Sequence, residues 1–286
     1  LFLERGWTLL RTGIIGTGNM GTILIEAMLE SYAVPPSNLS ITNRTIEKAY
    51  KIKDKYDGVQ VELSAKDVIK NSDLIFICVK PLDIYPLLHS LKSWIKKDQC
   101  IVSITSPFSV DQLEKLVDCS CARVIPSITN RAKAGVCLVT FGDSCSHEWR
   151  LKITELCLKI GQPVEIDEKI TRVASDIVSC GPAFFSYLTR RFIDAAVEKT
   201  KIDEQTATIL AQQMLIGLGS LLQKGFYSLP TLQEKVCVKG GVTGEGIKVM
   251  EEELGDVFEH LFEATHAKFK EDKEKIDIQL QYNHSS

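Results

Sequence analysis

Gly13-Ile14-Ile15-Gly16-Thr17-Gly18-Asn19-Met20-Gly21 is the stretch that decides the fold. An apolar run from Leu9 leads into Gly16-x-Gly18-x-x-Gly21. Met20, Ile23, Leu24, Ala27 and Met28 then recur at helical spacing. Strand, glycine turn and helix in that order are the parts of a dinucleotide site. Gly16 permits the tight turn, Gly18 lets the backbone approach a pyrophosphate, and Gly21 lets the helix pack close to the strand. The first-turn N–H groups add donors and partial positive charge. The candidate contacts are Gly16, Thr17, Gly18, Asn19, Met20 and Gly21. The alternative is a glycine-rich turn with no ligand.

Outward from this turn, strand-like and helix-like segments alternate. The first helix is expected over about Asn19–Ser31 and a loop at Pro35–Asn38. A second strand follows at Leu39–Thr42, a helix at Thr45–Tyr56 and a third strand at Val59–Val61. Leu74–Val79 is nearly unbroken apolar sequence, as in a strand buried on both faces, and Pro81 closes it. Ile101–Thr105 and Arg123–Ile125 add two strands, with Cys137–Thr140 and Pro163–Ile166 expected at the far edge. The pattern predicts an α/β chain. A Rossmann-type, doubly wound, mostly parallel sheet spans residues 1–166, and an all-α domain follows over 167–286. Asp203–Leu222 is apolar nearly all round, so it must be covered on every side. Burial in a homodimer interface or within one subunit both satisfy that requirement. Leu1–Arg11 reads as a short extension and not as a signal peptide, and Ile276–Ser286 as a loosely held tail.

Composition narrows the function. The 286 residues are 44% hydrophobic and 25% charged, as in a globular protein of two ordinary domains. A net charge of -3 argues against nucleic acid as a partner. No apolar run is long enough to cross a membrane. The nine cysteines include no C-x-x-C pair, which suggests reduced thiols and a cytoplasmic location. Cys119-Ser120-Cys121 is the nearest approach to a metal-ligand pair, and no metal is expected.

The second strand ends in Thr42-Asn43-Arg44-Thr45. A site for NAD places a carboxylate there to bind the ribose 2′-hydroxyl. Here Arg44 offers charge to a 2′-phosphate, and Asn43 and Thr45 offer hydrogen bonds. The expected cofactor is NADPH (NADP+). A solvated surface charge is the alternative for Arg44.

Five segments in order resemble the pyrroline-5-carboxylate reductase family. They are Gly13–Gly21, Asp73–Pro81, Arg123-Val124-Ile125-Pro126, Cys180-Gly181-Pro182-Ala183 and Val236-x-x-x-Gly240-Gly241-x-Thr243. The resemblance covers about Arg11–Lys270. It implies an NADP-binding domain, a helical dimerisation domain, and hydride transfer to the C=N carbon of a cyclic imino acid to give proline. It further implies that Cys78, Val79, Lys80 and Pro81 lie along the cofactor, and that Gly240, Gly241 and Thr243 hold the substrate carboxylate. Thr243 is the candidate catalytic residue, through the carboxylate or the ring nitrogen; a helix N-cap is its other reading.

The departures cluster in the substrate half. The family's Met-Pro-Asn-Thr-Pro reads Ile125-Pro126-Ser127-Ile128-Thr129. Its Ser-Gly-Ser-Gly-Pro-Ala reads Val178-Ser179-Cys180-Gly181-Pro182-Ala183. Its Thr-Ser-Pro-Gly-Gly-Thr-Thr reads Cys237-Val238-Lys239-Gly240-Gly241-Val242-Thr243, losing two hydroxyls and gaining a cation. Ala65 replaces a usual Asn. The candidate substrate residues are therefore Ser127, Lys239, Gly240, Gly241 and Thr243. Ile125–Asn130 resembles a divergent branch of the family encoded in late-competence operons of Gram-positive bacteria. Four readings follow: a proline-forming reductase, a reductase of another imine, a non-catalytic NADP-binding protein, or a 3-hydroxyacid dehydrogenase. The last lacks its characteristic Lys after Gly181.

Overall fold

The computed structural model describes residues 10–284, with side chains to residue 281. The chain begins with β1 (Thr12–Ile15), α1 (Asn19–Glu30), β2 (Leu39–Thr42), α2 (Glu47–Lys55), β3 (Gln60–Val61), α3 (Ala65–Asn71), β4 (Leu74–Ile77) and α4 (Pro81–Leu91). It continues with β5 (Cys100–Ser103), α5 (Val110–Leu116), β6 (Ser120–Ile125), β7 (Val136–Phe141), α6 (His147–Ile160) and β8 (Gln162–Glu165). These strands form one sheet in the order β3-β2-β1-β4-β5-β6-β7-β8, parallel except for the β6–β7 pair. The order reverses between β1 and β4, and the crevice outside their carboxyl ends is where such sheets bind ligands.

Alternation along each strand sends side chains to two apolar layers. Ile14, Phe76, Val102 and Val124 pack on one face. Ile15, Ile75, Ile77 and Ile101 pack on the other. Pro81 does not close the β4 strand. The strand stops at Ile77, and Pro81 opens α4 at its first turn, where a missing N–H costs nothing.

The rest is helical: α7 (Thr171–Ser175), α8 (Gly181–Lys199), α9 (Glu204–Gln223), α10 (Leu229–Val236), α11 (Val242–Glu253) and α12 (Val257–His284). A π turn over Asp176–Cys180 joins α7 to α8. The chain divides into two compact units. One runs to Pro182 and resumes at Ala264; the other is Ala183–Glu263. Residues 167–182, assigned above to the helical half, thus pack with the sheet.

The end of α12 corrects one expectation. Ile276 is fully buried, Gln112 Nε2 donates to Asp277 Oδ1 at 2.7 Å, and Gln279 Nε2 donates to the Leu82 carbonyl at 3.0 Å. This is a docked helix and not a tail; its few apolar residues meet a surface that local sequence does not reveal. The N-terminal extension, up to residue 9, lies outside the described residues, as do Ser285 and Ser286.

In the second unit, Asp203 caps α9 by accepting from the Thr206 N–H at 2.9 Å. Only Ala207 and Ala211 of α9 are buried, while Phe192 of α8 is 68% exposed and Ile216 of α9 61%. Within the second unit only Ala207 and Ala211 of α9 are covered, packed with Ile193 of α8, and most of its large apolar side chains are exposed there. Among the described residues no helix is long and apolar enough to cross a membrane.

Candidate functional site

A cleft of about 730 Å³ opens at the carboxyl ends of β1, β2 and β4. The glycine turn forms its floor, and each glycine has a distinct reason. Gly16 has φ +109°, and a Cβ there would lie 2.4 Å from the Cys78 carbonyl oxygen. A Cβ on Gly21 would lie 2.1 Å from the Gly16 oxygen. Gly18 meets no atom within 4 Å and faces open space. Gly18 is also the N-cap of α1, with no side chain covering the helix N-terminus. The Thr17 hydroxyl is buried and without an intramolecular partner. An open glycine, an uncovered helix N-terminus and an orphan hydroxyl fit a pyrophosphate-bearing dinucleotide.

The other cofactor candidates separate into three groups. Arg44, Thr45, Cys78, Val79 and Lys80 line the cleft. Asn43 also borders it, but its amide is engaged: Oδ1 accepts from the Thr17 N–H at 2.9 Å, and Nδ2 donates to the Thr45 carbonyl at 2.9 Å. Its side chain holds the glycine turn to the loop after β2 rather than reaching a ligand. Asn19 is exposed, Met20 packs against the core, and neither these nor Pro81 is among the cleft walls. Lys48, absent from the sequence candidates, stands in the cleft four residues after Arg44. Lys48 stands in the first turn of α2, and Arg44 in the loop that leads into it. The end of the cleft beside β2 thus carries two cations, with no carboxylate in the loop after β2.

Ser127 is fully buried. Its hydroxyl donates to the Val178 carbonyl at 2.8 Å and accepts from Thr129 Oγ1 at 2.9 Å. It caps the short helix after β6 and latches it to the π turn, so it presents no donor to a substrate. Ser179 Oγ repeats the tie, donating to the Pro126 carbonyl at 3.0 Å. Sequence reading also passed over Arg123 as a side chain. It is fully buried, paired with Glu168 at 2.7 Å and donating to Thr171 Oγ1 at 2.6 Å. That clamp fixes the start of the helical segment to β6.

The remaining substrate candidates lie in the second unit. Gly240 has φ +75°, and the Gly241 N–H donates to the Val238 carbonyl at 2.9 Å, closing a tight turn. Gly241 is the N-cap of α11 and has no side chain to cover it. Thr243 is the second helical residue and not the cap, which removes that reading of it. Lys239 is exposed, as are Val238 (65%) and Val242 (88%). The loop offers first-turn N–H groups, a hydroxyl and a cation, flanked by two apolar side chains. All nine cysteines are free, and among the described residues no three His, Cys, Asp or Glu side chains are placed to hold a metal.

Comparison with known proteins agrees with this geometry. A family model for NADP oxidoreductases described as coenzyme F420-dependent matches residues 11–107. A second, for pyrroline-5-carboxylate reductase dimerisation, matches residues 168–272. The chain is 57% identical over 271 residues to "ComE operon protein 4" of Bacillus subtilis (strain 168), covering 95% of this chain and 99% of that protein. It is 29% identical over 259 residues to "Pyrroline-5-carboxylate reductase 3" of the same strain, covering 90% and 95%. The fold matches the Plasmodium falciparum pyrroline carboxylate reductase solved with NADP bound, with a TM-score of 0.80 at 20% identity over 94% of this chain and 98% of that one. The Coxiella burnetii pyrroline-5-carboxylate reductase matches with a TM-score of 0.81 at 22% identity over 93% and 98%. The fold and cleft therefore define a Rossmann-type protein of an NADP-binding oxidoreductase family. The chain belongs to the pyrroline-5-carboxylate reductase family.

Proposed function

We propose that the chain is an NADPH-dependent reductase of a cyclic imino acid, working as a homodimer or ring of dimers, with a substrate loop altered from the family pattern. The observation that carries this reading is the cleft: an open glycine turn at one end, Arg44 and Lys48 at the other, and no carboxylate in the loop after β2. NADPH, when bound, supplies a hydride to the C=N carbon. A protonated imine is already electrophilic, so the chain has to position, bind and exclude water rather than supply strong acid or base. The turn around Gly16, Gly18 and Gly21 holds the pyrophosphate. Arg44, Thr45 and Lys48 hold the 2′-phosphate. Gly240, Gly241, Lys239 and the Thr243 hydroxyl hold the substrate carboxylate at the N-terminus of α11. The dimer covers the apolar faces of α8 and α9, consistent with the match to a dimerisation domain.

A second reading is a differently specific or non-catalytic NADP-binding paralogue associated with competence. Val238 and Val242 favour it, since they flank the loop with methyl groups where the family carries hydroxyls. Similarity to a protein named for the ComE operon supports the association. Calorimetric titration with NADPH, followed by a steady-state assay on pyrroline-5-carboxylate, separates the readings. Tight NADPH binding with turnover supports the first. Binding with no turnover on any cyclic imine supports the second, and no NADPH binding sinks both.

A further inference from the structure

We propose that Gln279 is a positioning residue for the cofactor cleft. Its side-chain amide supplies the hydrogen bond that Pro86 withholds from the Leu82 carbonyl, and so holds the first turn of α4 in the shape that NADPH binds. The inference rests on the reading of this cleft as the NADPH site.

The need for a donor arises within α4. In an α-helix each N–H donates to the carbonyl four residues back. Pro86 lies inside α4 and has no N–H, so the helix itself leaves the Leu82 carbonyl without that donor. A proline ring inside a helix also crowds the carbonyl four residues back, which loosens the turn between them.

The end of α12 brings the donor. Gln279 Nε2 donates to the Leu82 carbonyl at 3.0 Å. Neighbours on α12 fix where that amide stands. Ile276 is fully buried and shares an apolar layer with Leu88 of α4 and Leu113 of α5. Leu280 packs against the same layer. Spacings of three and four residues set Ile276, Gln279 and Leu280 on one face of the helix. Asp277 adds a tie to α5 by accepting from Gln112 Nε2 at 2.7 Å. All of these residues belong to the first compact unit. Gln279 lies beyond residue 272, where the match to the dimerisation model ends.

The turn that Gln279 holds is part of the cleft wall. Lys80, the N-cap of α4, lines the cleft, and so do Asp83, Pro86 and Leu87. Pro86 therefore presents its ring to the cleft and removes a helix hydrogen bond at the same place. Gln279 is not among the lining residues and acts through Leu82. A cofactor that needs the closed turn binds more weakly in proportion to the time the turn stands open.

The test measures NADPH affinity of the full-length chain by fluorescence titration, with hydrogen exchange of the α4 peptide as a second reading. Gln279→Met keeps the length of the side chain and removes the donor. Its Kd for NADPH should rise about fivefold, as expected for one neutral hydrogen bond, and the α4 amides should exchange faster. Gln279→Lys keeps a donor of similar reach and should restore both. Pro86→Ala gives the Leu82 carbonyl an N–H within its own helix, so adding Gln279→Met to that variant should change Kd by less than about twofold. A merely structural role for Gln279 would weaken both backgrounds alike. Should Gln279→Met fail to fold, Gln279→Asn, whose amide falls short of the carbonyl, takes its place. An unchanged Kd in the single variant, or an equal loss with and without Pro86→Ala, overturns the inference and leaves NADPH in the cleft. A wild-type chain that binds no NADPH overturns the cofactor reading and this inference with it.

Discussion

The backbone N–H of Thr17 donates to the side-chain oxygen of Asn43 at 2.9 Å. Thr17 lies in the glycine turn and Asn43 just past the end of β2, so one amide joins the glycine-turn end of the cleft to the end that carries Arg44. The same amide donates to the Thr45 carbonyl. Asn43→Ala removes both bonds. At roughly 1 kcal/mol each, NADPH affinity should fall about 30-fold. Fluorescence titration giving an unchanged Kd would show that the turn holds its shape unaided.

Arg44 and Lys48 should set cofactor choice. NADPH is expected to bind at least several-fold tighter than NADH, and Arg44→Asp should reverse the order by repelling the 2′-phosphate. Calorimetry of both cofactors against both proteins checks this. Equal affinities in the wild type would remove the basis for assigning Arg44.

The apolar faces of α8 and α9 require a cover. Sedimentation at micromolar concentration should give a dimer or a larger assembly of dimers, and Leu215→Glu should split it or prevent folding. A wild-type monomer under these conditions would contradict the homodimer.

The loop between α10 and α11 should limit turnover of pyrroline-5-carboxylate. Val238→Ser with Val242→Thr restores two hydroxyls. If each forms a bond of roughly 1 kcal/mol with bound substrate, kcat/KM should rise about 30-fold. A wild-type kcat/KM already near about 10⁵ M⁻¹s⁻¹, ordinary for an enzyme, would mean the valines do not impair the pocket.

Acid should loosen the tie between α1 and the short helix after β6. The Tyr56 hydroxyl donates to Glu30 at 2.5 Å, and Arg131 donates to its other oxygen; together they hold the Glu30 carboxyl below its ordinary 4.5. A depressed folded-state value gives stability that is present above pH 4.5 and lost as the pH falls through the folded value. These groups are about a third exposed, so the contribution is below about 1 kcal/mol. Thermal midpoints against pH should fall less steeply in acid for Arg131→Ala than for the wild type. Identical acid limbs would assign the loss to other carboxylates.

Much of the site was legible because its signals are local. Gly16, Gly18 and Gly21 are fixed by backbone stereochemistry within six residues, and Arg44 follows from where one strand ends. Ser127 and Asn43 were legible as polar residues near the site, but not in what they do. A short polar side chain serves a ligand or the fold according to which atoms reach it, and for both residues the nearest backbone reached it first.

The amino-acid sequence by itself determined the alternating sheet and helices, the glycine turn, the cation just past the end of β2 and the nearly all-round apolar character of Asp203–Leu222. These depend on periodicity and on backbone geometry over a few residues. Only the tertiary structure decided that Ile276 packs into the buried layer beside Leu113 and Leu88, and that Arg123 lies buried against Glu168. Each joins segments 45 or more residues apart, and such contacts arise when packing shields apolar surface and pairs buried polar groups, not from any run of neighbouring residues.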